Sequence, residues 1–193
     1  MGEPSDNKIA LGHRGGYAYW VKFHGRSVHA SVPERGSNPN YQLATFLSRV
    51  EQDKNRLSSH SALGMTTVAP TVIEVDTKSQ NVTPAWTRVL LDFRSSTESP
   101  TSLAGFIARC AEGLDYTLET GLFGGEPDNL EDPLVGFYTP KNHPAVQRAH
   151  ELINQGCGRE VELFNYKFAT DGRHFVKQNL PMIGYAPGEE FVA

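Results

Sequence analysis

The sequence is poor in the features that define several large protein classes. Only two of its 193 residues are cysteines, Cys110 and Cys157, and they lie far apart. Two isolated cysteines favour a reducing compartment over a disulfide scaffold. The formal net charge of −4 gives no basic surface of the kind that binds nucleic acid, and no apolar run approaches the roughly 20 residues that span a membrane. We therefore expect a cytoplasmic globular protein with neither nucleic-acid nor membrane partners.

Common catalytic signatures are missing as well. The sequence contains no closely spaced Cys/His cluster, no His-Glu-x-x-His motif, no nucleophile elbow and no phosphate-binding loop. Its seven histidines are scattered along the chain. The acidic, polar start at Met1 also differs from a secretory signal. Spacing alone therefore reveals no complete active site.

What the chain does carry is a regular alternation of strand and helix patterns between Tyr17 and Leu122. Pro70 interrupts the second strand, which predicts an edge strand or a bulge there. Caps at Asn38-Pro39 and Ser99-Pro100 predict the two helix starts. The resulting order, β-α-β-β-α-β, is that of a ferredoxin-like unit, whose sheet buries one face under two helices. The four strands are predicted at 17–24, 66–76, 87–94 and 115–122.

Shorter α/β patterns flank this unit on both sides. An apolar run at 9–11 precedes it, and a turn-rich stretch at 124–129 follows it. Beyond that we predict a helix from Pro144, a strand near 161–164, a short helix after Asp171 and an apolar run at 182–185. Such alternation is typical of a layered α/β domain. The ferredoxin-like unit is therefore predicted to be inserted into a second domain.

Several polar residues lie where they could serve a site. His29 sits among small residues that leave its ring accessible, Asn81 precedes a strand and Arg94 ends one. The Thr170–His174 segment follows a strand, where backbone N–H groups and the Arg173 guanidinium favour a carboxylate. Each residue alone equally fits an ordinary surface histidine, turn former, strand end or helix cap.

Taken in order, these motifs resemble the metal-dependent exopeptidase and deacylase family, which includes succinyl-diaminopimelate desuccinylase, acetylornithine deacetylase and the carboxypeptidase that releases glutamate from folates. Each block is weak alone, but together they follow the family's order over nearly the whole chain. The blocks are Gly2–Ser5, Gly12–Gly15, Gly25–Ser31, Asn81–Pro84, Leu91–Arg94, Thr170–Arg173 and Ala186–Gly188.

The resemblance implies an α/β (α+β) fold in which a ferredoxin-like lid, or dimerisation, domain interrupts a catalytic domain. It predicts a catalytic-domain remnant at 1–16, the lid at 17–125 and an incomplete C-terminal part of the catalytic domain at 126–193. It also implies two zinc ions (or cobalt) in the complete enzyme, which acidify a water and polarise the scissile carbonyl.

The resemblance assigns roles to five residues. Glu3 becomes a terminal metal ligand. His29 reaches across a homodimer to donate a hydrogen bond to the oxyanion in the partner's site, a contact worth about 3–4 kcal/mol. Asn81 and Arg94 orient the carboxylate or acyl end of a small acyl-amino acid or peptide, and Arg173 contacts a carboxylate.

The departures from the family pattern lead to a second expectation. The family places a His-x-Asp motif, a bridging aspartate and a Glu-Glu pair before the block that begins here at Gly2, and a further metal-binding histidine after the Pro187-Gly188 block; the sequence has neither set. We therefore expect a fragment of an amide-bond hydrolase that is inactive alone and binds zinc weakly or not at all. The missing half-domain predicts exposed apolar surface at 9–11 and 182–185, unless the fragment repacks or associates. The alternative is a non-catalytic module that uses the lid sheet to dimerise or bind a partner.

Overall fold

A computed structural model describes residues 3–121, 136–178 and 180–189. The predicted turn at 124–129 and the predicted boundary at 125/126 lie outside the described residues. No helix in the described ranges is long and apolar enough to cross a membrane. The strands are β1 (Ile9–His13), β2 (Gly15–His24), β3 (Ser59–His60), β4 (Gly64–Met65), β5 (Thr67–Val75), β6 (Trp86–Ser95), β7 (Tyr116–Gly121), β8 (Phe137–Tyr138), β9 (Leu163–Tyr166) and β10 (Gly184–Tyr185), and the helices are α1 (Pro39–Asp53), α2 (Pro100–Cys110) and α3 (Pro144–Cys157), with 3-10 segments at Pro33–Arg35, Lys54–Arg56 and Asp171–Gln178.

The larger sheet confirms the predicted ferredoxin-like unit. Its strand order is β5-β6-β2-β7, and all of its neighbours run antiparallel. The two central strands pair without interruption from Gly15 opposite Ser95 to His24 opposite Trp86. Helix α1 follows β2 and α2 follows β6, which reproduces the β-α-β-β-α-β order read from the sequence. The fold class is thus the predicted one.

The helices begin where the capping residues predicted. The Asn38 side chain accepts the N–H of Asn40 at 3.0 Å, the Ser99 hydroxyl accepts the N–H of Ser102 at 3.2 Å, and a proline occupies the first helical position in both cases.

Alternation along the strands determines which sheet face is buried. The inward residues of β2 and β6 contact the apolar stripes of α1 and α2. Phe23 packs on Phe46 with ring centroids 5.2 Å apart, and Phe93 meets Phe106 edge-on at 6.0 Å. The opposite face is polar and aromatic: Arg88 stacks over the Trp20 ring at 4.2 Å.

Strand β5 is the edge strand that Pro70 predicted. Within the part of the chain that the structure describes, it pairs only with β6, and the register shifts between Pro70 and Val72. Its outer part exposes three aliphatic side chains, Val72 at 40%, Ile73 at 56% and Val75 at 42%. An exposed edge with apolar side chains is a surface on which another strand can add.

The flanking segments form a second sheet around β1. Strand β9 pairs with it in parallel, while β10 and β8 pair with it antiparallel. The predicted exposure at 9–11 is wrong, because Ile9 (0%) and Leu11 (4%) are buried in a core with Val146 of α3 and Val161. The prediction for 182–185 is confirmed at Ile183 and Tyr185, which are 39% and 40% exposed.

The β3-β4 hairpin, which the sequence did not predict, connects the two sheets. Arg14, between β1 and β2, donates from Nε to the carbonyl of Leu63 at 2.7 Å. Asn165 of β9 donates to the carbonyl of Ala62 at 3.0 Å. These bonds tie the tip of the hairpin to the smaller sheet.

Candidate functional site

His29 and Asn81 come together at one end of the larger sheet. His29 follows β2 and Asn81 precedes β6, and antiparallel pairing of these strands puts the two loops side by side. The imidazole Nε2 lies 3.3 Å from the Asn81 amide nitrogen, and the backbone N–H of Ala30 donates to the Asn81 carbonyl at 2.8 Å. The sequence analysis named His29 and Asn81 separately as candidate site residues. The register of the sheet makes them neighbours.

The His29 ring is exposed but not loosely held. Its Nδ1 accepts the backbone N–H of Ser31 at 3.2 Å and lies 2.7 Å from the Ser31 hydroxyl. Because a backbone N–H can only donate, Nδ1 is unprotonated in this arrangement. In the neutral ring the proton then sits on Nε2, where it faces the Asn81 amide nitrogen; both groups are donors, so this 3.3 Å approach is not a hydrogen bond. The Ser31 contacts fix the orientation of the imidazole and leave its Nε2–H as a donor without an acceptor on the Asn81 amide nitrogen.

Arg94 lies at the opposite end of β6. Its guanidinium forms a two-point ion pair with Asp92, at 2.7 and 3.0 Å. Its strand neighbours are Gly16 of β2 and Thr67 of β5. The pair is partly buried, with 29% of the arginine and 17% of the aspartate side chain exposed.

Arg94 and Asn81 are separated by the length of strand β6. Trp86, where β6 starts, lies eight residue steps before Arg94, or roughly 27 Å at about 3.4 Å per residue. The pairing of the two loops continues past this end of β6, where His29 bridges Val82 and Ala30 contacts Asn81, so Asn81 lies beyond Trp86 on the side away from Arg94. One small substrate therefore cannot touch both residues of the same chain.

Glu3 and the Thr170–Arg173 segment flank a second candidate region. A cavity of about 390 Å³ is lined by Glu3, Thr170, Asp171 and Gly172, together with apolar groups such as Phe137. The Glu3 side chain is exposed, while its backbone carbonyl accepts the Tyr166 hydroxyl at 3.2 Å. Arg173 is half-buried in the 3-10 segment, and its N–H donates to the Thr170 carbonyl at 3.3 Å.

The described residues do not form a metal centre. Across 3–121, 136–178 and 180–189, no three His, Cys, Asp or Glu side chains are grouped so that they could hold an ion. Glu3 alone offers one carboxylate, whereas a catalytic zinc uses three protein ligands. The residues present therefore do not fit the metal pair that the family resemblance implies.

One residue of this region was not among the sequence candidates. His13, at the end of β1, is fully buried, and its Nδ1 lies 2.8 Å from the Thr170 backbone nitrogen. The sequence shows only a histidine after an apolar run. Its partner is 157 residues away, so the contact depends on the pairing of β1 with β9.

Comparison with known proteins agrees with this architecture. The peptidase dimerisation domain family of M20 matches residues 11–116. These residues make up more than half of the sequence, and the chain belongs to this family. The match spans three strands of the ferredoxin-like sheet, β2, β5 and β6, with both of its helices, and ends at the first residue of β7.

Named relatives extend the similarity over most of the chain. Succinyl-diaminopimelate desuccinylase of Sulfurovum sp. (strain NBC37-1) is 24% identical over 178 residues, which are 92% of this chain and 46% of that protein. The enzyme of the same name from Bordetella petrii is 28% identical over 97% of this chain and 48% of its own length. The chain thus spans about half the length of these relatives.

Solved structures share the fold. Aminopeptidase PepT from Bacillus cereus superposes with a TM-score of 0.72 at 17% identity, covering 99% of this chain and 48% of that one. The M20 family metallo-carboxypeptidase Sso-CP2 from Sulfolobus solfataricus gives a TM-score of 0.68 at 16% identity, covering 96% of this chain and 54% of the other.

Proposed function

We propose that this chain works in a metal-dependent amide-bond hydrolase of the exopeptidase or N-acyl-amino-acid deacylase type. In this proposal residues 17–125 supply the lid, and 1–16 and 126–193 belong to the catalytic domain. Membership of the peptidase dimerisation family and similarity to succinyl-diaminopimelate desuccinylases support it. Small acyl-amino acids or peptides are the proposed substrates, and the cytoplasm is the proposed compartment.

The single observation that carries the proposal is the separation of the candidate residues along β6. His29 and Asn81 lie together beyond the Trp86 end of β6, and Arg94 lies near the other end of this strand, roughly 27 Å from Trp86. Two copies of the chain remove the conflict if each site takes Arg94 from one subunit and His29 with Asn81 from the other. The active site is therefore shared between subunits.

The proposed roles follow from the chemistry of each group. The Nε2–H of His29 donates a hydrogen bond to the oxyanion that develops on the scissile carbonyl, an interaction of about 3–4 kcal/mol in a preorganised site. Asn81, beside this imidazole, contacts the carboxylate or acyl end of the substrate. The guanidinium groups of Arg94 and Arg173 are suited to carboxylates, which they bind through parallel N–H donors.

The edge of β5 is the proposed dimer contact. It exposes Val72, Ile73 and Val75 beside backbone groups that no other described strand pairs with. Addition of a second β5 would satisfy those groups and cover the aliphatic side chains. The loop with Asn81 follows β5 directly in the chain, so a dimer formed at this edge brings Asn81 and His29 near the partner.

Two zinc (or cobalt) ions are proposed for the complete enzyme. The 193-residue polypeptide alone is proposed to bind them weakly or not at all and to be inactive, because the resemblance assigns it only Glu3 as a ligand and one carboxylate cannot hold a catalytic pair.

Release of free amine from N-succinyl and N-acetyl amino acids and from dipeptides tests the proposal. The metal-loaded full-length protein should hydrolyse at least one class, and His29→Ala should lower kcat by roughly 100-fold, the usual loss for an oxyanion donor. The isolated 193-residue polypeptide should show no turnover and no stoichiometric zinc by elemental analysis. Inactivity of the full-length protein on every class would contradict the proposal and favour the non-catalytic dimerisation module.

A further inference from the structure

His13 is the most deeply buried titratable side chain to which the proposed function gives no task. Its residue is 0% exposed. Burial of a polar ring costs free energy unless hydrogen bonds compensate for the lost water. The hydrogen bonds that compensate here come from Thr170, in the segment that carries Arg173. His13 therefore links β1 to the proposed carboxylate site.

The direction of the hydrogen bonds defines the state of the ring. The backbone N–H of Thr170 points at His13 Nδ1 with a nitrogen–nitrogen distance of 2.8 Å. The Thr170 hydroxyl lies 2.7 Å from the same atom. An amide can only donate, so Nδ1 acts as an acceptor and a neutral ring carries its proton on Nε2. A ring protonated on Nδ1 would lose this bond.

Thr170 also accepts hydrogen bonds from the turn that follows it. Its hydroxyl accepts the N–H of Gly172 at 3.3 Å, and its carbonyl accepts the N–H of Arg173 at 3.3 Å. Hydrogen bonds to Thr170 thus fix the backbone from 170 to 173. Thr170 itself is fixed by the hydrogen bond from its backbone N–H to His13.

The Phe137 ring contacts both His13 and the Thr170–Arg173 turn. Its ring lies 4.4 Å from the His13 ring. A Cβ added at Gly172 would lie only 2.6 Å from the Phe137 ring, so glycine is needed for the turn to approach this closely. One packed unit therefore precedes Arg173 in the turn; it consists of His13, Phe137, Thr170 and Gly172.

We propose that His13 is a positioning residue: as a neutral acceptor it fixes the Thr170–Arg173 turn and thereby the backbone that carries Arg173. The inference rests on the proposed function only in its claim that Arg173 meets a substrate carboxylate. The positioning of the turn is a property of the chain itself and can be tested separately.

The first test uses the unaltered 193-residue chain. Long-range ¹H–¹⁵N correlation NMR of its histidines reports which ring nitrogen carries the proton. We expect His13 to be the Nε2–H tautomer at neutral pH, with the Thr170 amide protected from hydrogen exchange. A ring protonated on Nδ1, or a Thr170 amide that exchanges as fast as an exposed one, would overturn the proposal.

Two variants separate positioning from packing. His13→Asn keeps an acceptor oxygen at the same number of bonds from Cα as Nδ1, whereas His13→Leu fills space without an acceptor. We expect Thr170 protection to fall about tenfold or more in H13L, the effect of one lost hydrogen bond, and to recover largely in H13N. Equal protection in both variants would overturn the proposal.

The kinetic test requires the full-length enzyme. For a substrate with a free carboxylate, H13L should raise KM about tenfold with kcat changed less than about twofold, and H13N should restore KM. A loss confined to kcat, or a KM that H13N does not rescue, would contradict the role toward Arg173. Absence of any turnover in the unaltered enzyme would count against the proposed function, while the exchange measurement would still decide the role of His13.

Discussion

Glu98 shows how a single carboxylate can fasten a loop. It lies between β6 and α2 and accepts the backbone N–H of Ser58 at 2.5 Å and the hydroxyl of Thr66. Partial burial raises its pKa, but the hydrogen bonds from Thr66 and Ser58 outweigh burial, so the net effect is a lowered pKa. Glu98 thus ties the start of α2 to the β3-β4 hairpin.

A lowered pKa in the folded chain makes the contribution of Glu98 dependent on pH. The stabilisation is fully present above the ordinary glutamate range, that is above about pH 5, and is lost as the pH falls through the folded pKa. Urea unfolding of wild type and Glu98→Gln should therefore differ by about 1 kcal/mol at pH 7 and converge as the pH falls through the folded pKa. Glu34→Gln, at an exposed residue, serves as the control. A difference that grows toward low pH would contradict this account.

At the scale of elements, local signals account for what the sequence predicted well. Asn38-Pro39 and Ser99-Pro100 begin helices because each pair caps free N–H groups with a side chain and presets a helical φ. Pro70 identifies β5 as an edge strand because a residue without an N–H cannot donate to a second neighbour. Together with the strand patterns, these signals were sufficient to predict the order of strands and helices along the chain in the ferredoxin-like unit.

The elements that sequence reasoning missed are held by distant partners. The two-residue strands β3, β4 and β8 are too short for an alternating pattern. The β3-β4 hairpin is tied down by Arg14 and Asn165. Within the site, the contact of His29 with Asn81 depends on the register of β2 and β6, and that of His13 with Thr170 on the pairing of β1 with β9. No local motif encodes these contacts.

Helix α1 offers a matched test of its packing. Phe46 is fully buried against Phe23, whereas Tyr41 on the same helix is 76% exposed. Phe46→Ala should lower the free energy of unfolding by about 3–5 kcal/mol, and Tyr41→Ala by less than about 0.5 kcal/mol. Urea titration followed by tryptophan fluorescence at one protein concentration measures both. Similar losses would contradict the assigned packing.

At the scale of the whole molecule, the proposal requires association through the β5 edge. Ile73→Lys places a charge on that exposed edge, and lysines on edges oppose strand addition. Sedimentation equilibrium should show a dimer for the unaltered chain and a dissociation constant raised at least tenfold, or about 1.4 kcal/mol, for Ile73→Lys. Thr117→Lys, on the opposite edge strand β7, is the matched control and should leave the dimer intact.

A strict monomer at tens of micromolar would contradict the dimer. Equal weakening by Ile73→Lys and Thr117→Lys would instead show that β5 is not the contact. A strict monomer would also leave His29 and Asn81 without a second site to reach, since Arg94 of the same chain is roughly 27 Å from the start of β6.

Complementation between two inactive variants of the full-length enzyme tests the central claim most directly. His29→Ala and Arg94→Ala homodimers should each be nearly inactive. If a site takes Arg94 from one subunit and His29 from the other, each mixed dimer has one intact site. A one-to-one mixture that exchanges subunits freely should then recover about a quarter of wild-type activity, since about half of the dimers are mixed and one of their two sites is intact. Recovery near this level would support the shared site, and a mixture no more active than its parents would contradict it.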